Sequence, residues 1–409
     1  MLQNKDIIIT GLQPWNFALG SNIANLTLTL SNTNRVLFIN YAYDRLTLYK
    51  LRKEKKIQDF LQAGKQKKIQ LEQISENLWI FTPGTILESI NQISFGFLFD
   101  KLNKINGQRF AGQILQAINK LEFKDFILFT DSDFYRSQYL KEKLHPAFFI
   151  YYIRDNMIAS SYYKKHGARY EADIIRKADL VVTNSEFLES YAKQYNLRSF
   201  FVGQGCDTSL FNSSRIQILP ESVLKIKKQF KSVIGYVGAL KNTRIDIHLI
   251  QYLATNLPEY AFVLVGPEDE IFKDSGLHNI SNVIFLGTKP EKELPSYIDF
   301  FDVAINPQRI NDVTVGNYPR KIDEYLIMGK PVVATKTPAM TYFTGYVYLA
   351  SDENEFLSSI HTALTENNPA LNNQRKLFAG SHSWENNIIE MDKVFQKVTS
   401  EIMCINENS

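Results

Sequence analysis

Eleven short apolar runs recur along this chain with helical stretches between them, and most are apolar at every position rather than at alternate ones. Strands of that kind are buried on both faces, as in parallel sheets covered by helices on either side. Six fall in the first half (DIIIT, RVLFIN, NLWIF, DFILFT, AFFIYYI, DLVVTNS) and five in the second (SVIGYVG, AFVLVG, NVIFLG, FDVAINP, KPVVAT). Between the two sets, the stretch from Asn212 to Lys231 carries a proline and mixed polarity. The pattern predicts an α/β protein of two domains, residues 1–213 and 214–394. A length of 409 residues at 44% hydrophobic content supplies two cores.

Composition excludes several other classes. Lys plus Arg total 46 against 43 Asp plus Glu, a net charge of +3, without the basic excess of a general nucleic-acid binder. The two cysteines, Cys206 and Cys404, form no CxxC pair, so neither a disulfide framework nor a zinc site is expected, and a reducing cytoplasm fits. The opening MLQNKDIIITGLQPW has too short an apolar run for a signal peptide, and no later run approaches the roughly 20 apolar residues of a membrane span. The expectation is a cytoplasmic protein, free or peripheral on the inner membrane face.

Open parallel sheets bind ligands beyond the carboxyl ends of their strands, so residues just past the apolar runs are the first candidates. NYPRKIDEYLIMGKPVVAT, Asn317 to Thr335, reads as a loop, a short helix and a buried strand. Lys321 and Glu324 are three apart and share a helix face, either as an exposed surface pair or as a cation and a carboxylate offered to a ligand. Gly238 ends SVIGYVG and is followed by Lys241 and Arg244, which are ligand-facing cations or a solvated helix start. Gly266 and Pro267 close AFVLVG as a ligand passage or a plain turn. Gly20, Ser21 and Asn22 mark a helix start whose free N–H groups suit a phosphate or a sugar, or which simply begins a helix. Asp155 lies just past AFFIYYI, as a catalytic base or as a cap on the next helix.

In their order, these stretches resemble the GT-B glycosyltransferases from about Ile8 to Trp384. SVIGYVGALKNTRIDIHLI, EYAFVLVGPED, NVIFLGTKPEKELPSYIDFFDVAINP and NYPRKIDEYLIMGKPVVAT look like the donor domain. KADLVVTNSEFLESYAKQYN with GQGCDTSLF resembles the end of the acceptor domain and its hinge. The Pro-x-Lys-x-x-Glu-Tyr-Leu pattern is similar to that of a bacterial group 1 branch that builds cell-surface polysaccharides. The resemblance implies two Rossmann-like domains facing a cleft, an acceptor half at 1–213 and a donor half at 214–394, with a C-terminal helix at 395–409 returning to the first. It implies that Lys321 and Arg320 face the diphosphate of a nucleotide sugar and that Glu324 bonds the ribose hydroxyls. Gly238, Lys241, Arg244, Gly266 and Pro267 would line the same donor. Many retaining members carry a further glutamate eight positions before the ribose-binding one. Here that position is Gly316, which leaves backbone amides around Val315 to Asn317 to meet the donor sugar.

The implied reaction moves a sugar from a nucleotide-diphosphate sugar to a glycan or lipid-linked acceptor. An inverting course would use Asp155 as base, with Glu171, His145 and His166 as further acceptor-side candidates. A sugar-nucleotide epimerase of the same architecture and a noncatalytic assembly partner are the alternatives. Asp131-Ser132-Asp133 spells a DxD, the metal-holding element of GT-A enzymes, but it follows an N-domain strand without the rest of that pattern. It is expected to be strand-end and helix-cap chemistry, with no metal and no other cofactor required. From Lys50 to Lys68, eight Lys or Arg face only Glu54 and Asp59, with Leu51, Ile57, Phe60 and Leu61 as an apolar side. Such a tract is either a solvated surface or a dock for an anionic inner leaflet.

Overall fold

The computed structural model describes residues 1–15, 21–65, 70–212, 216–366 and 368–407. It divides into two compact units, Met1–Gly203 with Ile388–Ser409, and Gln204–Asn387. The division falls at Gly203 and Ile388, where the sequence reading set 213 and 394.

Unit 1 holds an eight-stranded sheet of β1 (Asp6–Gly11), β2 (Arg35–Ile39), β3 (Gln70–Ser75), β4 (Leu78–Thr82), β5 (Ile127–Asp131), β6 (Phe148–Ile153), β7 (Leu180–Thr183) and β8 (Ser199–Phe201). The strand order is β3-β4-β2-β1-β5-β6-β7-β8, parallel throughout except for β3, which runs antiparallel to β4. Unit 2 holds β9 (Ser232–Val237), β10 (Tyr260–Val265), β11 (Val283–Gly287), β12 (Val303–Asn306), β13 (Val332–Thr335) and β14 (Tyr348–Ala350), in the order β11-β10-β9-β12-β13-β14 and all parallel.

Adjacent strand residues point to opposite faces, and unit 2 shows why its strands lack polar alternation. Val233, Val237, Val263, Ala304 and Val332 pack into a core on one face. Ile234, Tyr236, Phe262, Leu264, Ile305 and Val333 pack into a second core on the other. Both faces are closed by helices, so the central strands are selected for burial at nearly every position, while the edge strands β11 and β14 are only partly buried.

Each sheet has a strand from which the chain winds first one way and then the other. In unit 1 it is β1, between β2 and β5; in unit 2 it is β9, between β10 and β12. Loops diverge beyond the carboxyl ends of such neighbours and leave room for a ligand.

Candidate nucleotide-sugar site

The switch point of unit 2 is built first from backbone. Gly238 follows β9 at φ +144 and Gly266 follows β10 at φ +151, conformations that strain any residue with a side chain. A Cβ on Gly266 would lie 1.9 Å from the Gly238 carbonyl oxygen. The two loops are also stitched together, the Gly238 N–H donating to Val265 O (2.9 Å) and the Leu240 N–H to Pro267 O (2.8 Å). Gly266→Ala is therefore expected to cost about 2–4 kcal/mol, from overpacking against main chain added to φ strain. Denaturant unfolding with a shifted midpoint checks this, and an unchanged midpoint would refute the contact.

Opposite this floor stands the helix Lys321–Ile327, delivered by the loop after β12. Lys321 Nζ lies over the Tyr236 ring at 4.2 Å, donates to its hydroxyl, and would come within 2.9 Å of a Cβ on Gly238. Loss of hydration pushes the Lys321 ammonium down to about 7, Glu324 opposes the shift, and the Arg244 and Arg320 guanidiniums add to it. Three cations thus converge where β9 ends, and burial pushes the lysine among them toward its neutral form.

Glu324 is buried and takes a hydrogen bond from Arg320 Nε at 2.9 Å, while Arg320 also lies 3.7 Å from Glu291. Burial raises the Glu324 carboxyl above its ordinary range. The face shared by Lys321 and Glu324 is thus differently bonded from the simple surface pair. Lys321 goes to Tyr236, and Glu324 goes to Arg320 one turn away. Lys241 is exposed, and its carbonyl accepts the Arg244 and Ile245 N–H groups at 2.8 Å each, so the two cations sit on one tight turn.

The loop carrying Gly316 is laced to that turn. Asn311 caps Val313 and Thr314 and donates to Thr243 O at 2.9 Å, and Arg309 Nη1 reaches Asn242 Oδ1 at 3.1 Å. The Asn317 N–H closes the loop on Thr314 O at 3.0 Å.

The sequence reading passed over the group that holds the helix in place. Asp323 is fully buried and accepts from the Tyr318 hydroxyl and from His382 Nδ1, both at 2.8 Å, and His382 Nε2 meets the Tyr342 hydroxyl at 3.0 Å. Asp323 lies between Ile322 and Glu324 within the quoted motif. A carboxylate on a helix turn flanked by buried Ile322 and Tyr325 demands an internal partner, and that demand was the available signal.

Unit 1 places the acceptor-side candidates unevenly. Gly20 lies outside the described residues. Ser21 precedes the helix Asn22–Ser31, and its hydroxyl is committed to Gln13 at 2.8 Å. Asp155 is half-buried beyond the carboxyl end of β6, and its carbonyl accepts the Met157 N–H at 2.8 Å; the short turn Met157–Ala159 starts from Asn156. Glu171 is inside the core, held by Tyr151 and Tyr191 at 3.2 Å each, with burial driving its carboxyl up to about 7. His145 is an exposed left-handed helix end, and His166 packs on Phe99 and contacts Ile93 O.

In the DxD, Asp131 is clamped by both arms of Arg154 and Asp133 by Arg136 at 2.7 Å, so each carboxylate already meets a guanidinium. Among the described residues, no group of three His, Cys, Asp or Glu side chains is arranged to hold a metal ion.

The apolar side expected of the basic tract requires a correction. Its residues form the helices Arg45–Lys50 and Lys55–Lys65, with Lys67 and Lys68 outside the described residues. Ile57 and Phe60 are buried against Leu48, and Leu51 packs on the same cluster. Of the expected apolar side, only Leu61 is exposed, at 37%. A small cluster apart from the main core of unit 1 holds most of the apolar residues that would face a bilayer.

Two parallel-sheet units with loops gathered beyond the central strand of each define the GT-B fold class, an α/β architecture of two Rossmann-like domains. Residues 231–366, which contain this floor and helix, match the family model described as Glycosyl transferases group 1. Over 244 residues the chain is 26% identical to the Bacillus subtilis (strain 168) protein that carries the name teichuronic acid biosynthesis glycosyltransferase TuaH. That match takes in 56% of this chain and spans only 60% of the relative's length. Among solved structures, Anabaena HepE in complex with UDP superposes with a TM-score of 0.63 at 16% identity, covering 97% of this chain and 100% of that one. Sucrose-phosphate synthase from Thermosynechococcus elongatus gives 0.67 at 14%, with 97% and 100% covered. At these identities the structural likeness is one of fold. Among the described residues, no helix is long and apolar enough to cross a membrane.

Proposed function

We propose that this protein is a glycosyltransferase that moves a sugar from a nucleotide-diphosphate sugar to a glycan or lipid-linked acceptor in cell-surface polysaccharide assembly. The observation that carries the reading is the convergence of Lys321, Arg244 and Arg320 beside a bare backbone floor at Gly238, with Glu324 one turn along the same helix. A leaving diphosphate gains negative charge as the glycosidic bond breaks, and a poorly hydrated cation fixed beside it stabilises that charge most. Glu324 is assigned the ribose hydroxyls, Gly266 and Pro267 the passage of the nucleoside, and Gly316 with its neighbours the donor sugar. The family match over residues 231–366 supports this, as does the binding of UDP and UDP-glucose by HepE. The relative's name supports a cell-wall glycan as the kind of product.

On the acceptor side, Asp155 is assigned as the base of an inverting displacement, with Ser21 and Asn22 lining the approach. The chemistry is assigned to the chain's own cations without a metal, and the protein is assigned to the cytoplasmic side of the membrane.

A panel of nucleotide sugars in a thermal-shift assay tests the donor. A true donor at about 100 times its Kd is expected to stabilise the protein by about 2.7 kcal/mol. Products then separate the alternatives. Glycosylated acceptor with released nucleotide diphosphate supports transfer, an isomerised nucleotide sugar would mean an epimerase, and binding without turnover would mean a noncatalytic partner. Added EDTA is expected to leave transfer unchanged, and strict dependence on Mg²⁺ or Mn²⁺ would overturn the metal-free assignment.

A further inference from the structure

We propose that unit 1 docks on an anionic lipid bilayer through the start of the helix Gly96–Leu121, a surface distinct from the basic tract. Phe95 is 78% exposed, Phe97 82% and Leu98 42%, while the adjoining Phe99 is fully buried in the core. The exposed cluster is therefore a separate outward group and not the fringe of the core. Phe95 occupies the helix N-cap and makes no side-chain cap, at a position where Ser, Thr, Asp or Asn would satisfy free N–H groups. Three large apolar side chains within four residues face water at a helix end left without its usual cap.

Charge identifies the occupant. Lys101 and Lys104 are exposed one and two turns from Phe97 on the same helix stripe. Lys164 and Lys165 are exposed on the segment after β6, and Lys165 Nζ donates to Ser94 Oγ at 2.9 Å, beside Phe95. That segment is pinned to the helix start, His166 Nε2 lying 2.9 Å from Ile93 O with its ring against Phe99. Asp100 is the one acid in residues 94–104 and 161–169. It is engaged by Arg169 at 2.6 Å and by the Tyr170 hydroxyl at 2.8 Å, so the lysines are left in excess.

Aromatic side chains ringed by lysines match a bilayer in which rings enter the headgroup boundary and ammonium groups meet lipid phosphates. A second copy is the poorer occupant, because a two-fold pairing of this patch would bring its lysines against one another. The surface needs no transfer chemistry, so it stands or falls apart from the assignment of a sugar donor.

Cosedimentation of the full chain with vesicles is the test, comparing phosphatidylglycerol-containing vesicles with phosphatidylcholine alone at low and physiological salt. Binding is expected only with the anionic lipid and is expected to weaken with salt. The variant carrying Phe95→Ser and Phe97→Ser should lose at least about tenfold in partitioning. Reversal of Lys101 and Lys104 to Glu should lose about fivefold per charge. Lys55→Glu should change binding less than either, because its helix spends its apolar residues on the core. All of these positions are exposed, so melting temperature and nucleotide-sugar binding are expected to stay at the parent values and confirm folding. A parent that never sediments with anionic vesicles, or a Phe variant that binds as the parent does, overturns the proposal. So does a concentration-dependent dimer that Phe97→Ser dissolves.

Discussion

Lys321→Ala is expected to lower turnover by about 10²–10³-fold while the protein stays folded. The ammonium rests on the ring and hydroxyl of the buried Tyr236, and Lys321 is half-buried in the first turn of its helix, where alanine keeps the backbone helical. What disappears is the cation nearest the Gly238 floor, and with it the charge that would meet a departing diphosphate. Arginine is not expected to rescue the defect, since a planar guanidinium does not fit the same contact with the Tyr236 ring and hydroxyl. Glu324→Gln should act differently, raising KM for the donor with a smaller change in kcat. Glutamine is chosen there because alanine would leave Arg320 without its 2.9 Å acceptor. Steady-state kinetics with a soluble acceptor separate kcat from KM, and parental turnover in Lys321→Ala would remove this residue from the chemistry.

The second large effect is on pH dependence. Lys321 sits near pKa 7 in the unliganded site, lowered chiefly by lost hydration. A diphosphate beside it favours the charged form, so the bound-state pKa must be higher. Below pH 7 the ammonium is already present and affinity is insensitive to pH. Above pH 7 binding has to take up a proton, and affinity for the nucleotide sugar should fall by up to about tenfold per pH unit until the bound-state pKa is reached. Of its neighbours, Arg320 is held charged by Glu324, and burial holds the Tyr236 hydroxyl far above this range. Calorimetry in buffers of different ionisation enthalpy should show proton uptake near pH 8 in the parent and none in Lys321→Ala. Uptake that persists in the variant would assign the proton to another group.

How much of this was legible before the structure follows from which forces act locally. Both-face burial writes itself into contiguous residues, so strands such as Ile127–Asp131 and Phe148–Ile153 were readable. QLEQIS was not, because β3 is an antiparallel edge strand whose side chains are mostly exposed, and it lay hidden at the end of a basic tract. The three-residue strands β8 and β14 are too short to carry a pattern. In the site, the Arg320, Lys321 and Glu324 cluster was legible as a motif, while its internal wiring was not. The Arg320–Glu324 pairing is a choice of rotamer. The Asp323–His382 bond joins residues 59 apart and has no local signature. The burial of the basic tract's apolar side was hidden for a related reason: sequence shows that Ile57 and Phe60 are apolar, but not that they pack on Leu48.

The floor made by Gly238 and Gly266 also bears on how this chain can diversify. Where a binding surface is main chain, mutation has no side chain to exchange, and Gly266 cannot acquire one without displacing the Gly238 carbonyl. Selection for a different sugar would have to work on the segment 308–317. Its Asn311 and Thr314 bonds hold a shape and engage the backbone, not the side chains, of the half-buried Val313 and Val315. Under the proposed donor site, the glycine floor is fixed by its own backbone and the segment 308–317 is the part side chains can alter, so new donor preferences are expected to arise there.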